Sequence, residues 1–245
     1  MNMSQLGYWV RSIPAYFPID QESNWVIKPL YKDYPGLVGT LSTYYSVLAP
    51  GHILHAIHTH DDDEIIVLLS GKLDILAPDH RISIGPGSFF HHPPHDPHTI
   101  EAVGSEVACF LVFKWKSEPK PQTSETAEFF LFDAQDLAPW DQEKGFQLQI
   151  LCENQPLTNG GKLKVGLIHL APNRGYPPHS HDHDLMLVLL NGEMKALGHN
   201  TNAPAVIYYP AGTLHALAPV SPAPITIIEF EFHRGRENSQ TTGGF

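Results

Sequence analysis

His58-Thr59-His60-Asp61-Asp62-Asp63-Glu64, followed by Gly71, Pro93 and His98, recurs as His179-Ser180-His181-Asp182-His183-Asp184-Leu185, followed by Gly192, Pro210 and His215. The early landmarks of the second copy lie 121 positions beyond those of the first, and the late ones 117 positions beyond, so the second copy is four residues shorter in its middle. A collinear repeat of this kind means that one scaffold was used twice. Leu185 stands where the first copy has Glu64, so only the first copy keeps a carboxylate at that place.

Working outward from the repeat, 245 residues have room for two domains of about 120 residues each. The chain divides into an N-terminal domain over 1–116, a linker over 117–128, a C-terminal domain over 129–235 and a loose tail over 236–245. The linker is polar and proline-bearing. Hydrophobic residues make up 42% and charged residues 17%, which suits two packed cores and excludes a disordered chain. With 26 acidic against 15 basic side chains, the net charge of −11 and the lack of a basic stripe argue against a nucleic-acid partner or a membrane surface. Cys109 and Cys152 both lie in apolar runs and read as reduced, buried thiols. No signal peptide or transmembrane stretch is recognisable, which makes the expected location cytoplasmic.

Short apolar or alternating runs, each closed by Gly, Pro or Asn-Gly, predict an all-β fold. In the first copy they cover 39–48, 53–60, 65–69, 72–76, 88–91 and 107–115. In the second they cover 146–152, 164–170, 185–190, 193–197, 206–209 and 225–232. Asn191-Gly192 predicts a tight hairpin, and Ser70-Gly71 holds the same place in the first copy. Phe89, Phe90, Tyr208 and Tyr209 are open to two readings, a substrate pocket or ordinary strand packing.

Side chains alternate along a strand, so a strand through His58, His60 and Glu64 would aim all three at one interior. His98 must then arrive from a different strand, as a closed barrel allows. Three imidazoles and a carboxylate suit iron, manganese, nickel, cobalt, copper or zinc, and suit calcium or magnesium poorly. In the second copy, three readings stay open: His179, His181 and His215 hold a metal by themselves, His183 adds a fourth ligand, or the site is inert. Asp184 has the wrong parity to stand in for Glu64 unless a bulge shifts the register. His91, His92 and His95 are expected to line a polar barrel mouth, with a proton-transfer role for one of them open.

The run Gly51…His58-Thr59-His60…Glu64…Gly71, with Gly85-Pro86-Gly87…Pro93…His98, resembles the two motifs of the cupin family. Six residues rather than five separate Gly51 from His58, a small departure. Apart from the ends and the linker, the chain resembles a bicupin, which implies two tandem jelly-roll (double-stranded β-helix) barrels. Carried over residue by residue, the resemblance makes His58, His60, Glu64 and His98 metal ligands, and His179, His181 and His215 their partial counterparts. It implies one transition metal (Fe, Mn, Ni, Cu or Zn) in the N-terminal barrel and leaves room for a second in the C-terminal one. It also permits Glu64 to loosen and act as a catalytic base.

The expected function is a metal-dependent enzyme acting on a small-molecule substrate, a dioxygenase-like oxidoreductase first. An isomerase, lyase or hydrolase using the metal as a Lewis acid comes second, and a non-enzymatic small-ligand-binding or regulatory cupin third. A homodimer is compatible with the sequence.

Overall fold

The computed structural model describes residues 7–14, 23–36, 39–116, 127–137, 140–158 and 160–234. Most of the expected linker and all of the expected tail lie outside the described residues. The strands of the first half are β1 (Trp9–Ser12), β2 (Trp25–Gly36), β3 (Gly39–Leu48), β4 (Asp63–Ser70), β5 (Leu73–Leu76), β6 (Arg81–Ile84), β7 (Phe89–His92), β8 (Thr99–Ala102) and β9 (Ala108–Lys116). Then come β10 (Phe130–Phe132), β11 (Phe146–Pro156), β12 (Lys162–Leu170), β13 (Tyr176–His179), β14 (Asp184–Asn191), β15 (Glu193–Ala196), β16 (His199–Asn202), β17 (Ala205–Tyr209), β18 (His215–Pro219) and β19 (Ile225–His233). The described residues are almost entirely strand and connection, as expected of an all-β fold.

Each unit packs a six-stranded sheet on a smaller one. In the first, the order β10-β7-β4-β9-β3-β2 packs on β6-β5-β8; in the second, β1-β17-β14-β19-β12-β11 packs on β13-β18-β15-β16. Two strands cross between the halves of the sequence. Trp9–Ser12 pairs with Ala205–Tyr209, and Phe130–Phe132 pairs with Phe89–His92. Each six-stranded sheet is therefore completed by a segment that the sequence places with the other half.

The central strands of the larger sheets, β4, β9, β14 and β19, are buried on both faces, which is why they read as continuous apolar runs rather than alternating ones. Along β4, Ile66 and Leu68 join the interior of the first unit, while Ile65 and Val67 join a cluster shared with Met186, Val188, Phe230 and Phe232 of the second. The molecule thus has an apolar core inside each unit and a third between them. The hairpin expected at Asn191-Gly192, with Ser70-Gly71 as its counterpart, does not form: β14 and β4 lie in the six-stranded sheets and β15 and β5 in the smaller ones, so each turn carries the chain from one sheet to the other. The turns still need their glycines. Gly71 has φ +80° and Gly192 φ +83°, and a Cβ would lie 2.3 Å from the Val107 carbonyl oxygen or 2.5 Å from that of Pro224.

The expected strand over 53–60 does not form. It is reduced to isolated bridges, Ile53 to Glu101 and His58 to His98, with Ile53 and Ile57 exposed. Strands the sequence pattern did not reveal include β2 and β13, which contain prolines (Pro29, Pro35; Pro177, Pro178). Both lie at sheet edges, where a missing N–H costs no ladder bond.

Candidate metal centres

In the first unit the expected site residues come together, by a route other than strand parity. His58 is held by its bridge to His98, with backbone bonds of 3.1 and 3.0 Å in the two directions. Residues 59–62 are irregular, and Glu64 enters on β4. One ring nitrogen from each of His58, His60 and His98 falls within 4.8 Å of the others. The Nδ1 atoms are spoken for: His58 donates to the His98 carbonyl at 3.1 Å, His60 to that of Asp62 at 2.9 Å, and His98 to that of Asp96 at 2.8 Å. A carbonyl only accepts, so these bonds place the protons on Nδ1 and leave the Nε2 lone pairs facing inward. The His60 Nε2 is buried without a hydrogen-bond partner.

Glu64 borders the cluster, its Oε1 3.2 Å from His98 Nε2 and its Oε2 3.7 Å from His60 Nε2. A bare Nε2 against a carboxylate oxygen sets two acceptors face to face. A cation between them, or a second proton on the ring, relieves this contact. Glu64 also has a partner that sequence reasoning missed. Lys114, its register neighbour on β9, lies 2.7 Å from Oε2. Burial pushes the Glu64 carboxyl up, but the His60 and His98 rings, which become hydrogen-bond donors to it on taking a second proton, and the Lys114 charge outweigh burial and hold the group well below its ordinary value. Burial, with the neighbouring His55, lowers the His58 proton affinity, which favours the neutral, ligating form. The donor set and its orphaned nitrogen fit a divalent transition metal.

Above this cluster lies a cavity of about 100 Å³, walled by apolar side chains such as Trp25, Ile66 and Val112 and reached by His98, Glu64 and Lys114. Phe89, Phe90, Tyr208 and Tyr209 do not line it; all four are buried packing residues. The histidines at 91, 92 and 95 do not form a polar mouth. His91 is fully buried and bonds Asp63 at 3.0 Å, His92 stacks flat on His98 at 3.7 Å, and His95 is exposed beside Asp61. Their consecutive positions on and after a strand send them to opposite faces.

The second unit repeats the three-histidine geometry. His179, His181 and His215 bring ring nitrogens within 4.8 Å of one another, and the His181 Nε2 is buried without a hydrogen-bond partner. Burial and the imidazoles around it push the His181 proton affinity down to about 4. Leu185 is buried in the apolar core of the unit and offers no ligand. Asp184 faces away, accepting from the Tyr208 hydroxyl at 2.6 Å, as its parity predicts. The charge pattern across the strand pair has changed. Glu64 faces Lys114 in the first unit, whereas Leu185 faces Glu231 in the second. Both Lys114 and Glu231 sit near the ends of otherwise apolar runs, the signal that could have singled them out. His183 contacts the His181 ring at 4.6 Å, but its Nε2 lies 3.3 Å from Glu231.

Residues 44–114 match the family model described as a cupin domain. No curated protein sequence is matched. Among solved structures, a Pseudomonas aeruginosa protein described as glyoxylate-induced superposes with a TM-score of 0.70 at 16% identity, over 95% of this chain and 92% of that one. Protein Ylba from E. coli gives 0.68 at 15% identity, over 95% and 93%. Oxalate decarboxylase from Bacillus subtilis, described with Mn(II) centres, gives 0.51 at 17% identity, over 80% and 70%. At these identities the structures speak for the fold. The family match makes residues 44–114 of the first unit a cupin domain, and the second unit repeats its double-sheet architecture.

Proposed function

We propose that the protein is a metal-dependent bicupin enzyme whose working centre is the first unit, where His58, His60, His98 and Glu64 hold one transition metal beneath the cavity. The observation that carries this reading is the set of inward-facing Nε2 lone pairs, fixed by Nδ1 bonds to carbonyls and bordered by a buried carboxylate. When bound, the metal would supply Lewis acidity and, for a redox-active ion, electron transfer. The chain's own residues do the rest. The apolar walls exclude water, and the small volume selects a compact organic molecule. Lys114 is a cation at the cavity, which favours a substrate bearing a carboxylate or another anionic oxygen. Glu64, shared between the imidazoles and Lys114 and held ionised, is the group that would take up a proton from the bound substrate.

Within this reading a dioxygenase-like oxidoreductase is the first choice. The Glu64–Lys114 pair supports a second, a lyase or isomerase that moves protons without oxidation. Metal content of untagged protein and oxygen uptake with small carboxylic acids test both. About one equivalent of metal lost in His58→Ala/His98→Ala, with oxygen consumed during turnover, is the expected result. Turnover without oxygen would move the protein to the second class. Metal content and turnover untouched by the double substitution would overturn the assignment of the centre.

A further inference from the structure

We propose that the second unit carries a metal site separate from its three-histidine cluster, built from His183, Glu231 and His233. Glu231 and His233 alternate on β19 and so share a face, and His183 immediately precedes β14, the strand paired with β19. One donor atom from each falls within 4.8 Å of the others. The Glu231 Oε2 lies 3.3 Å from His183 Nε2 and 2.9 Å from His233 Nε2.

The carboxylate divides its work. Its Oε1 takes Lys164 at 2.9 Å, which leaves Oε2 as a single donor toward the two rings. His183 is oriented from behind by Asp182, whose Oδ1 lies 3.2 Å from Nδ1. A carboxylate behind a histidine fixes the tautomer and strengthens the ring as a ligand. The proton that bonds Asp182 is on Nδ1, so the Nε2 aimed at Glu231 is bare. His183 is only 7% exposed, and that Nε2 is buried without a hydrogen-bond partner. His233 can donate one proton to Oε2, but no hydrogen-bond partner among the described residues satisfies the His183 Nε2. A divalent cation accepting from all three donors does.

Two imidazoles and one carboxylate oxygen suit Zn(II), Co(II) or Fe(II), with positions left open for water or an added ligand. The site owes nothing to the repeated motif. The matching positions in the first unit are Asp62, Lys114 and Lys116, which cannot form it. It also stands whether or not the proposed function of the first unit holds.

The test is Co(II) titration of chelator-stripped full-length protein, read by visible absorption and by metal content after desalting. The parent is His58→Ala/His98→Ala/His179→Ala/His215→Ala, which empties both repeated clusters. It should bind one equivalent of Co(II), and adding His233→Ala or Glu231→Gln should weaken that binding about 100-fold. Lys164→Met, which spares every ligand, should bind at least as tightly as its parent. His233 is partly exposed at a strand end, so His233→Ala in the otherwise unaltered protein provides a second measurement, in which one equivalent of bound metal should be lost. A folded parent that takes up no Co(II) would overturn the site in favour of an ion-pair network. Binding that survives both Glu231→Gln and His233→Ala, or unchanged metal content in the single variant, would overturn it as well.

Discussion

Lys114→Met separates the role of the Glu64–Lys114 pair in the metal-free protein from its role with metal bound. The Glu64 side chain is 5% exposed and that of Lys114 29%, with 2.7 Å between their charged atoms. Removing one partner of a fully buried pair costs ~3–5 kcal/mol. Here the lysine is partly solvated and Glu64 keeps His60 and His98 as neighbours, which lowers the expected cost in the metal-free protein to ~2 kcal/mol. With metal bound, the cation itself meets the Glu64 charge, and the cost should fall to ~0.5 kcal/mol. The two unfolding experiments and the two binding experiments close a cycle. The difference of ~1.5 kcal/mol must therefore appear as metal binding about tenfold tighter in Lys114→Met. Urea unfolding of chelator-stripped and metal-loaded protein, with competition titration of the metal, measures all four sides. Metal binding equal to or weaker than that of the unaltered protein would refute the reasoning, because Lys114 would then be positioning Glu64 for the metal rather than competing with it.

Two further outcomes follow from groups outside that pair. Burial, reinforced by the charge of Glu231, pushes the Glu229 carboxyl up to about 7 from its ordinary 4.5. A raised folded value means that Glu229 contributes its full stability below pH 4.5 and loses it as pH rises through 7. Glu229→Gln should therefore gain roughly 3 kcal/mol relative to the unaltered protein between pH 4.5 and pH 8.5. Urea unfolding at both values checks this, and a pH-independent difference would contradict it. Gly71→Ala should cost roughly 3 kcal/mol, since the new Cβ meets the Val107 carbonyl as well as a positive φ. Gly104→Ala, at φ +88° with nothing within 4 Å, should cost only about 1 kcal/mol; equal thermal shifts for the two would show that the close contact relaxes away.

Much of the fold was legible because burial on two faces leaves a strong mark. Runs such as Ile65–Leu69 and Ile225–Phe232 became strands of the large sheets, and Gly71 and Gly192 became turns that no side chain fits, although they pass the chain between sheets instead of closing hairpins. Edge strands such as β2 and β13 were not legible, since prolines and exposed polar residues erase the alternation there. The histidines at 58, 60 and 98 converge as the spacing implied, yet through a bridge and an irregular loop instead of one continuous strand. Parity therefore gave the right grouping for an incomplete reason.

By itself, the sequence determined that one histidine scaffold occurs twice, that the second copy lacks its carboxylate, and that the chain is built from strands. These follow from residue identity and spacing, which are local properties. Tertiary structure alone decided that β1 and β10 cross between the halves, that Lys114 contests Glu64, and that Glu231 collects His183, His233 and Lys164. Those partners are brought together by strand pairing across large separations in the chain, and in one dimension nothing but their distance apart is visible.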